Sequence, residues 1–541
     1  MLSGEPAQAG FIIPSMVGNR AARSSNSQLL QNALIILLLA LAVLIVLNQA
    51  NPLTTRLGRD SGMYAYVASH LLRGNTPYVS VWDHKPPAVF FINAVGLWIG
   101  HGTRWGIWFM EFIFLLGAAL AGFGGLKRRF GLGAALAASL IWVAALGLVL
   151  EGGNFTEEYA LLFSFSALWL FMLITERPGT IWLHAGLGLA FGCGFLTRPN
   201  NTGVQAAIML TEVLLVLFRQ RPWRATLIGL IASGIGFAIP LAAFWLYFVS
   251  KNAAQAFLEG AFIYNLYYVD PPDIMAALIG GFQRFGIAAG LALVGTWMAF
   301  DELRLRVGDR AVDPLLLWIC VDLIFEVVLS GLSGRLYAHY FISWLPWMTV
   351  ACALPFRDAI RSFKKWGRPL RAGMVLAAVA FTASACWSTL AEYGQTLASL
   401  AAQRGLAQRN EVLPAYVNEH TQPGDTVLVW AGAAGVNFLA RRDAPTPHVL
   451  YGILVPSPLT ERMSAEFYHQ IVADPPALIL DDSAIDLRGI VPPLSEFDPV
   501  AWSAAHDIYA QPYLQQFFDF VHSNYSQKKE VAGVTIYYLN P

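Results

Sequence analysis

The residues of this sequence with the clearest chemical potential begin in the stretch GRDSGMYAYVASHLLRGNTPYVSVWDHKPP, residues 58–87. It holds two acids, Asp60 and Asp83, and it ends with His84 and Lys85 directly before two prolines. A single carboxylate can take a proton from a hydroxyl group, and a lysine ammonium can hold a phosphate as a point charge. The stretch therefore combines the groups needed for general-base catalysis and for phosphate binding.

Apolar residues in this stretch recur with the period of a helix. The stripe at i, i+3, i+4, i+7 and i+8 consists of Tyr64, Val67, Ala68, Leu71 and Leu72. The pattern predicts a helix over 60–72 that lies on the membrane surface with its apolar face down. Asp60 is expected at the N-cap of this helix and Gly74 just past its end.

Two interpretations of the charged residues stand side by side. Asp60 is either a helix cap or a base at the mouth of a helical bundle. Lys85 is either an anchor at the membrane interface or a phosphate ligand. Pro86 and Pro87 restrict Lys85 to an extended backbone, so its side chain is aimed by rigid neighbours.

The composition of the chain is that of a membrane protein. Of its 541 residues, 56% are hydrophobic and 13% are charged, where a globular domain has about 25% charged residues. The apolar residues come in long runs, which indicates a polytopic membrane protein. The formal net charge is zero, so nothing indicates a nucleic-acid partner. The four cysteines lie in apolar runs without metal-ligand spacing, and we expect no disulfides.

Eleven membrane spans are predicted from the apolar runs. They cover residues 29–50, 105–126, 132–150, 157–174, 181–197, 203–218, 225–249, 283–300, 313–330, 341–356 and 371–388. With these spans, every basic cluster falls on the same side of the membrane, as cytoplasmic clusters should. Residues 86–100 are too short to cross, and counting them as a span would put Lys127–Arg129 outside. We therefore predict an interfacial or re-entrant helix there.

The composition changes after residue 389, where charges, prolines and aspartates rise and long apolar runs stop. The segments 425–430 and 477–482 are typical of buried strands, and PYLQQFFDFVHSNY is typical of a helix. EVAGVTIYYL indicates a strand end or an antiparallel strand pair. The predicted organisation is a cytoplasmic tail over 1–28, a membrane domain over 29–388 and a periplasmic α/β domain over 389–541.

Several motifs together resemble one family of membrane enzymes. They are the stretch 58–87 continued by a phenylalanine and "NA", then NFTEEYALLF, FLTRPN and RLYAHYFISWLP. The set is similar to the GT-C membrane glycosyltransferases, within the branch of protein O-mannosyltransferases and the lipid A aminoarabinose transferase. The resemblance covers roughly residues 30–350. It implies a mainly α, GT-C type helical bundle that acts on a polyprenyl-phosphate-linked sugar.

The resemblance also implies roles for individual residues. Asp60 would be the base, and Glu157 or Glu158 would orient the acceptor or hold a divalent ion; no cofactor is certain. Asp83, His84 and Tyr64 would belong to the substrate loop. The donor phosphate would be bound by Lys85, Arg198, Arg335 and His339.

Each of these residues has a plainer interpretation from its position alone. Acids at a helix start, such as Glu157 and Glu158, favour the helix dipole without a further role. Arg198 at the end of a span can be an interface anchor, and so can Arg335 and His339 within an aromatic belt. On a helix, Arg335 and His339 would share one face.

The resemblance predicts an inverting glycosyltransferase at the periplasmic face of a bacterial inner membrane. Its partners would be the lipid bilayer, a polyprenyl-phosphate sugar and a cell-envelope lipid, polysaccharide or protein. An alternative is a transporter or flippase of lipid-linked sugars. It is favoured by Asp322 and Glu326, two acids at i, i+4 inside one predicted span, but no inverted repeat supports it. A non-catalytic scaffold is a third alternative.

Overall fold

The computed structural model describes residues 15–306, 312–363 and 406–541, apart from 433, 450–452, 454 and 485–488, and scattered positions between 364 and 405. The predicted span 371–388 lies almost wholly outside the described residues. In the membrane domain the helices are α1 Ser15–Val46, α2 Arg59–Leu72, α3 Ala88–Ile99, α4 Arg104–Phe130, α5 Leu132–Leu146, α6 Thr156–Glu176, α7 Ile181–Thr197, α8 Gly203–Leu217, α9 Trp223–Ser250, α10 Ala254–Leu258, α11 Ile274–Phe285, α12 Ile287–Arg306, α13 Pro314–Gly331 and α14 Leu345–Phe363.

All ten predicted spans that fall on described residues are helical, and residues 86–100 form the short helix α3 as predicted. Five described helices, α1, α4, α6, α9 and α13, are long and apolar enough to cross a membrane. The predicted span 283–300 begins across a break between α11 and α12. Two helices meet there at an angle of 113°, because Gly286 takes a left-handed φ of 48° that ends α11. This bent pair could form a sixth span.

One large apolar core joins most of the long helices. Helix α7 packs closely on α9, where Gly188 lies against the carbonyl of Ser233 with no room for a Cβ atom. At one end of the bundle, Arg128 pairs with Glu176 and Arg129 pairs with Asp313. These ion pairs gather basic residues that the sequence assigns to one side of the membrane.

Helix α2 differs from its prediction in two ways. It begins at Arg59 with Gly58 at the N-cap, so Asp60 lies in the first turn and does not cap the helix. It is also not a surface helix with one apolar face, because residues 61–68 are all buried. Helix α3 covers one side of α2, and a helix of the C-terminal domain covers another.

The C-terminal region is an α/β domain, as predicted. Its elements are α15 Leu406–His420, β1 Val427–Trp430, α16 Ala434–Ala440, α17 Thr460–Ala473, β2 Leu478–Asp481, α18 Pro499–Ala505, α19 Leu514–Asn524, β3 Tyr525–Val531 and β4 Val534–Leu539. The sheet order is β1-β2-β4-β3, with β1 parallel to β2 and the other pairs antiparallel. Trp430 of this domain shares an apolar cluster with Tyr64 and Trp82 of the membrane domain, so the two domains meet at the stretch 58–87.

Candidate active site

Lys85 lies at the centre of a row of polar side chains built by the stretch 58–87. Its Nζ is 3.6 Å from Oδ2 of Asp60, to which the Tyr64 hydroxyl also donates at 3.4 Å. The imidazole Nε2 of His84 lies 3.3 Å from the same Nζ, and Oδ1 of Asp83 lies 3.2 Å from the other ring nitrogen. The structure thus brings together all five residues that the sequence singled out here.

The row fixes the protonation of His84. Burial, followed by the neighbouring ammonium of Lys85, lowers the pKa of His84 to about 4. A neutral ring can carry its proton on Nδ1, toward the Asp83 carboxylate, and accept at Nε2 from the Lys85 ammonium. Asp83 and His84 are 1% and 2% exposed, so they support Lys85 from behind. Their contact with a substrate stays a prediction.

The main chain around Lys85 is held by two further hydrogen bonds. The Tyr78 hydroxyl donates to the carbonyl of Lys85 at 2.7 Å, and the side chain of Asn265 donates to the carbonyl of His84 at 2.6 Å. Asn265 belongs to the aromatic segment between α10 and α11. This segment therefore helps to fix Lys85 in place.

A second ion pair is formed where α6 begins and α7 ends. Nη2 of Arg198 lies 3.2 Å from Oε1 of Glu157, a contact without hydrogen-bond alignment. The Arg198 guanidinium also lies over the ring of Tyr340, 4.7 Å from its centroid. Lys85 and His339 are both within electrostatic range of Glu157.

The structure separates the two neighbouring acids of α6. Glu157 faces Arg198, whereas Glu158 turns back to accept from the backbone N–H of Phe155 at 3.3 Å. Glu158 interacts with Glu111 of α4 as well. Glu157 is therefore the acid that joins the cationic cluster.

Arg335 and His339 do not share a helix face, contrary to the expectation for a helical segment. Only His339 lies in the short 3-10 helix Ala338–Trp344. The Arg335 Nε donates to Asp270 at 3.0 Å, and its guanidinium stacks 3.9 Å from the centroid of the Tyr268 ring. Tyr268 in turn contacts the ring of His84 at 4.4 Å.

His339 has its own carboxylate partner. Its Nδ1 lies 2.9 Å from Glu151, and its ring stacks on Phe155 at 4.1 Å. This hydrogen bond holds the pKa of Glu151 below its ordinary value.

Each cation of the cluster is thus paired with a carboxylate, but the pairs differ in exposure. The side chains of Asp60 and Glu157 are 18% and 2% exposed, whereas those of Asp270 and Glu151 are 56% and 48% exposed. An incoming anion can replace an exposed carboxylate at lower cost than a buried one, since the released carboxylate stays in water.

Asn154 was missed by the sequence analysis, although it ties the site together. Its backbone N–H donates to Glu111 at 2.6 Å, and its side chain bonds Asn93 at 2.9 Å, the carbonyl of Ser61 at 3.3 Å and the hydroxyl of Tyr159 at 2.7 Å. These partners lie on α4, α3, α2 and α6. The signal was the Gly-Gly-Asn sequence of the loop, because Asn tolerates the left-handed φ of 59° found here.

The residues at this site do not fit a metal ion. Within the described residues, no three His, Cys, Asp or Glu side chains come together in a metal-binding group. Glu157, one of the two acids predicted as alternatives for holding an ion, already has Arg198 as its partner. We therefore derive no step through a metal.

The fold, together with part of the sequence, is similar to that of the GT-C class of multi-pass membrane glycosyltransferases. Residues 84–248 match the model of a family described as dolichyl-phosphate-mannose-protein mannosyltransferase. This match includes His84, Lys85, Glu157 and Arg198. No curated protein matches the chain.

Solved structures identify the particular fold, which is similar to that of ArnT. ArnT from Cupriavidus metallidurans bound to undecaprenyl phosphate matches with a TM-score of 0.58 and 15% identity, over 93% of this chain and 98% of that one. Its apo state matches with a TM-score of 0.56. AglB from Archaeoglobus fulgidus, in complex with an inhibitory peptide and a dolichol-phosphate, matches at 0.52 and 12% identity, over 85% of this chain and 71% of that one. The predicted resemblance is confirmed at the level of the fold.

Proposed function

We propose that the protein transfers a sugar from a polyprenyl-phosphate donor to a hydroxyl group of a cell-envelope acceptor. The observation that carries this proposal is the pair of the partly exposed Asp60 and the buried Lys85, 3.6 Å apart, beside the second pair of Glu157 and Arg198. One carboxylate and several cations form the set that such a transfer needs. The similarity to ArnT, whose structure holds undecaprenyl phosphate, supports the class of donor.

In the proposed reaction Asp60 accepts the proton of the acceptor hydroxyl, and the oxygen attacks the anomeric carbon of the donor. The bond between that carbon and the phosphate oxygen breaks on the opposite face, which inverts the configuration. The electron pair leaves with the polyprenyl phosphate. Because this phosphate is a good leaving group without protonation, one base suffices, unlike the paired carboxylates of glycoside hydrolases.

The cations divide between binding and leaving-group stabilisation. Arg335 and His339 are suited to receive the incoming phosphate, because their present partners, Asp270 and Glu151, are about half exposed. Lys85 is suited to stabilise the charge that grows on the leaving phosphate, because a buried ammonium acts strongly in a site of low dielectric. Glu157 then orients the acceptor.

The site is proposed to face the periplasm. It lies near the start of α4, whereas the basic residues Lys127–Arg129, which are predicted to be cytoplasmic, lie at the end of the same helix. The acceptor is proposed to be a lipid, a polysaccharide or a protein of the cell envelope.

The experiment that tests the function uses the purified full chain in nanodiscs. It is incubated with radiolabelled undecaprenyl-phosphate sugars and a membrane extract, beside the Asp60→Asn variant. Label that becomes covalently attached to an acceptor, and does so only with the wild type, supports the proposal. Movement of labelled lipid across a proteoliposome membrane without covalent transfer would instead favour a flippase. The observation that favours this alternative is the pair of buried acids Asp322 and Glu326 in α13.

A further inference from the structure

The C-terminal domain forms ionic contacts with the C-terminal end of α2, the helix that carries Asp60. Asp443 accepts two hydrogen bonds from the guanidinium of Arg73, at 2.9 and 2.8 Å, and lies 3.2 Å from Nε2 of His70. The neighbouring His70 and then Arg73 hold the pKa of Asp443 well below its ordinary range. Asp443 therefore stays ionised and keeps its ion pair with Arg73 at physiological pH.

The N-terminal end of α2 is held by backbone packing against the same domain. Gly62 lies against Gly435 so closely that a Cβ atom on Gly62 would come within 2.8 Å of the Gly435 Cα. Between the two ends, the backbone N–H of Ala444 donates to the hydroxyl of Tyr66 at 2.8 Å. One segment of the C-terminal domain thus contacts α2 at three points along its length.

The same segment also holds the loop that carries Lys85. The carbonyl of Pro447 accepts from the backbone N–H of Trp82 at 2.9 Å, three residues before Lys85. Both partners of the central ion pair are therefore attached to the C-terminal domain, Asp60 through α2 and Lys85 through Trp82.

We propose that residues 434–448 of the C-terminal domain position the catalytic pair, with Asp443 and Gly435 as positioning residues. Because α2 is a single rigid helix, a displacement at Gly62 or Arg73 is transmitted to Asp60. The distance between Asp60 and Lys85 depends on it, and misplacement of a catalytic group by about 1 Å can cost on the order of a hundredfold in rate. The catalytic part of this inference rests on the proposed function, whereas the docking part does not.

The docking is tested by hydrogen–deuterium exchange of the full-length protein in nanodiscs. Asp443→Ala is expected to speed exchange of the amides of residues 61–68 by about tenfold. Glu176→Ala is a matched control, since it removes an ion pair with Arg128 of similar exposure and geometry at the other end of the bundle. The control should leave exchange in α2 unchanged.

A steric test approaches the same contact from the other side. Ala normally favours a helix over Gly, but Gly62→Ala forces the added methyl group into the backbone of Gly435. Gly290→Ala is the matched helical control, because a Cβ atom there meets nothing within 4 Å. Gly62→Ala should speed exchange in α2 and in the 434–440 helix, and Gly290→Ala should not.

Transfer assays then separate positioning from folding. Asp443→Ala should lower kcat about tenfold with little change in the donor KM or the melting temperature, and Asp443→Glu should recover most of the loss. If Asp443→Ala cannot be purified, Asp443→Asn and Gly62→Ala carry the same tests. Unchanged exchange in α2 with both Asp443 and Gly62 variants would overturn the inference. Absence of transfer by the wild type would overturn the proposed function alone, because the exchange result stands without it.

Discussion

Replacing Asp60 with asparagine is the most direct test of the reaction. Asparagine keeps the size of the side chain and an oxygen to accept from Tyr64, but it cannot take a proton. It also leaves Lys85 without its carboxylate partner. Asp60 does not cap α2, so the loss of a helix cap cannot account for any effect.

The structure sets the size of the two expected effects. At 3.6 Å, the attraction between Asp60 and Lys85 is about 4–5 kcal/mol at an effective dielectric of about 20, before desolvation is subtracted. Because Asp60 is partly exposed and Lys85 keeps His84 as an acceptor, we expect the free energy of unfolding to fall by about 2–3 kcal/mol, less than for a fully buried pair. A membrane domain of ordinary stability survives this loss.

The loss of the proposed base is expected to have a larger effect, which falls on the activation barrier of transfer. We expect the transfer rate to fall by about 10² to 10⁴, which corresponds to roughly 3–5 kcal/mol in activation free energy. The assay is transfer from a radiolabelled donor, with donor binding measured on the same preparation. Asp270→Asn is the control, since it removes an exposed carboxylate from a cation pair of the same cluster and should leave kcat nearly unchanged.

The result that would refute this reasoning is near-normal turnover by a folded Asp60→Asn protein. An equal loss of rate in Asp270→Asn would also count against it, because the effect would then come from removing any negative charge from the cluster and not from removing a base. If Asp60→Asn lost donor binding as well as transfer rate, Asp60 would be assigned a role in donor binding and not one as the base.

The remaining predictions concern the cations, the second acid, the buried asparagine and the topology. Lys85→Gln should raise the donor KM and lower kcat, with Arg only a partial substitute; unchanged kinetics in both variants would remove Lys85 from the site. Glu157→Gln should reduce transfer at least tenfold more than Glu158→Gln, measured at equal amounts of folded protein; the reverse order would contradict the assignment of Glu157. Asn154→Gly should lower the free energy of unfolding by about 3 kcal/mol, and Asn154→Ala by about 1 kcal/mol more because the residue at this position has a positive φ. Thermal unfolding checks both values, and equal losses in the two variants would refute the expected cost of the positive φ. A single cysteine in place of Arg128 should resist an impermeant reagent in intact cells that labels one in the C-terminal domain; labelling at 128 would overturn the predicted orientation.

The elements of this protein could be predicted from its sequence because their signals are local. Apolar runs and a helical period lie within one segment. The ten predicted spans on described residues therefore all fall on helices, and α3 and the strands near 427 and 478 were found. The bend at Gly286 was missed, because the apolar run continues across it and only the backbone shows the break. The burial of α2 was missed for a similar reason, since its second cover comes from a domain far along the chain.

The sequence also indicated which residue types could carry the proposed chemistry. Asp60, Lys85, Glu157 and Arg198 stand in motifs that can be recognised without any coordinates. Their pairing could not be predicted, because Glu157 and Glu158 differ by one residue and only the rotation of α6 decides which of them meets Arg198.

Only the tertiary structure decided how the site is held together. Asp443 reaches Arg73 across 370 residues of sequence, and no local pattern relates two positions so far apart. Asn154 joins four helices through hydrogen bonds whose partners are ordinary polar residues in the sequence. The physical reason is the same in both cases: a residue's type sets what it can donate or accept, but its partner is chosen by the packing of elements that are distant in the chain.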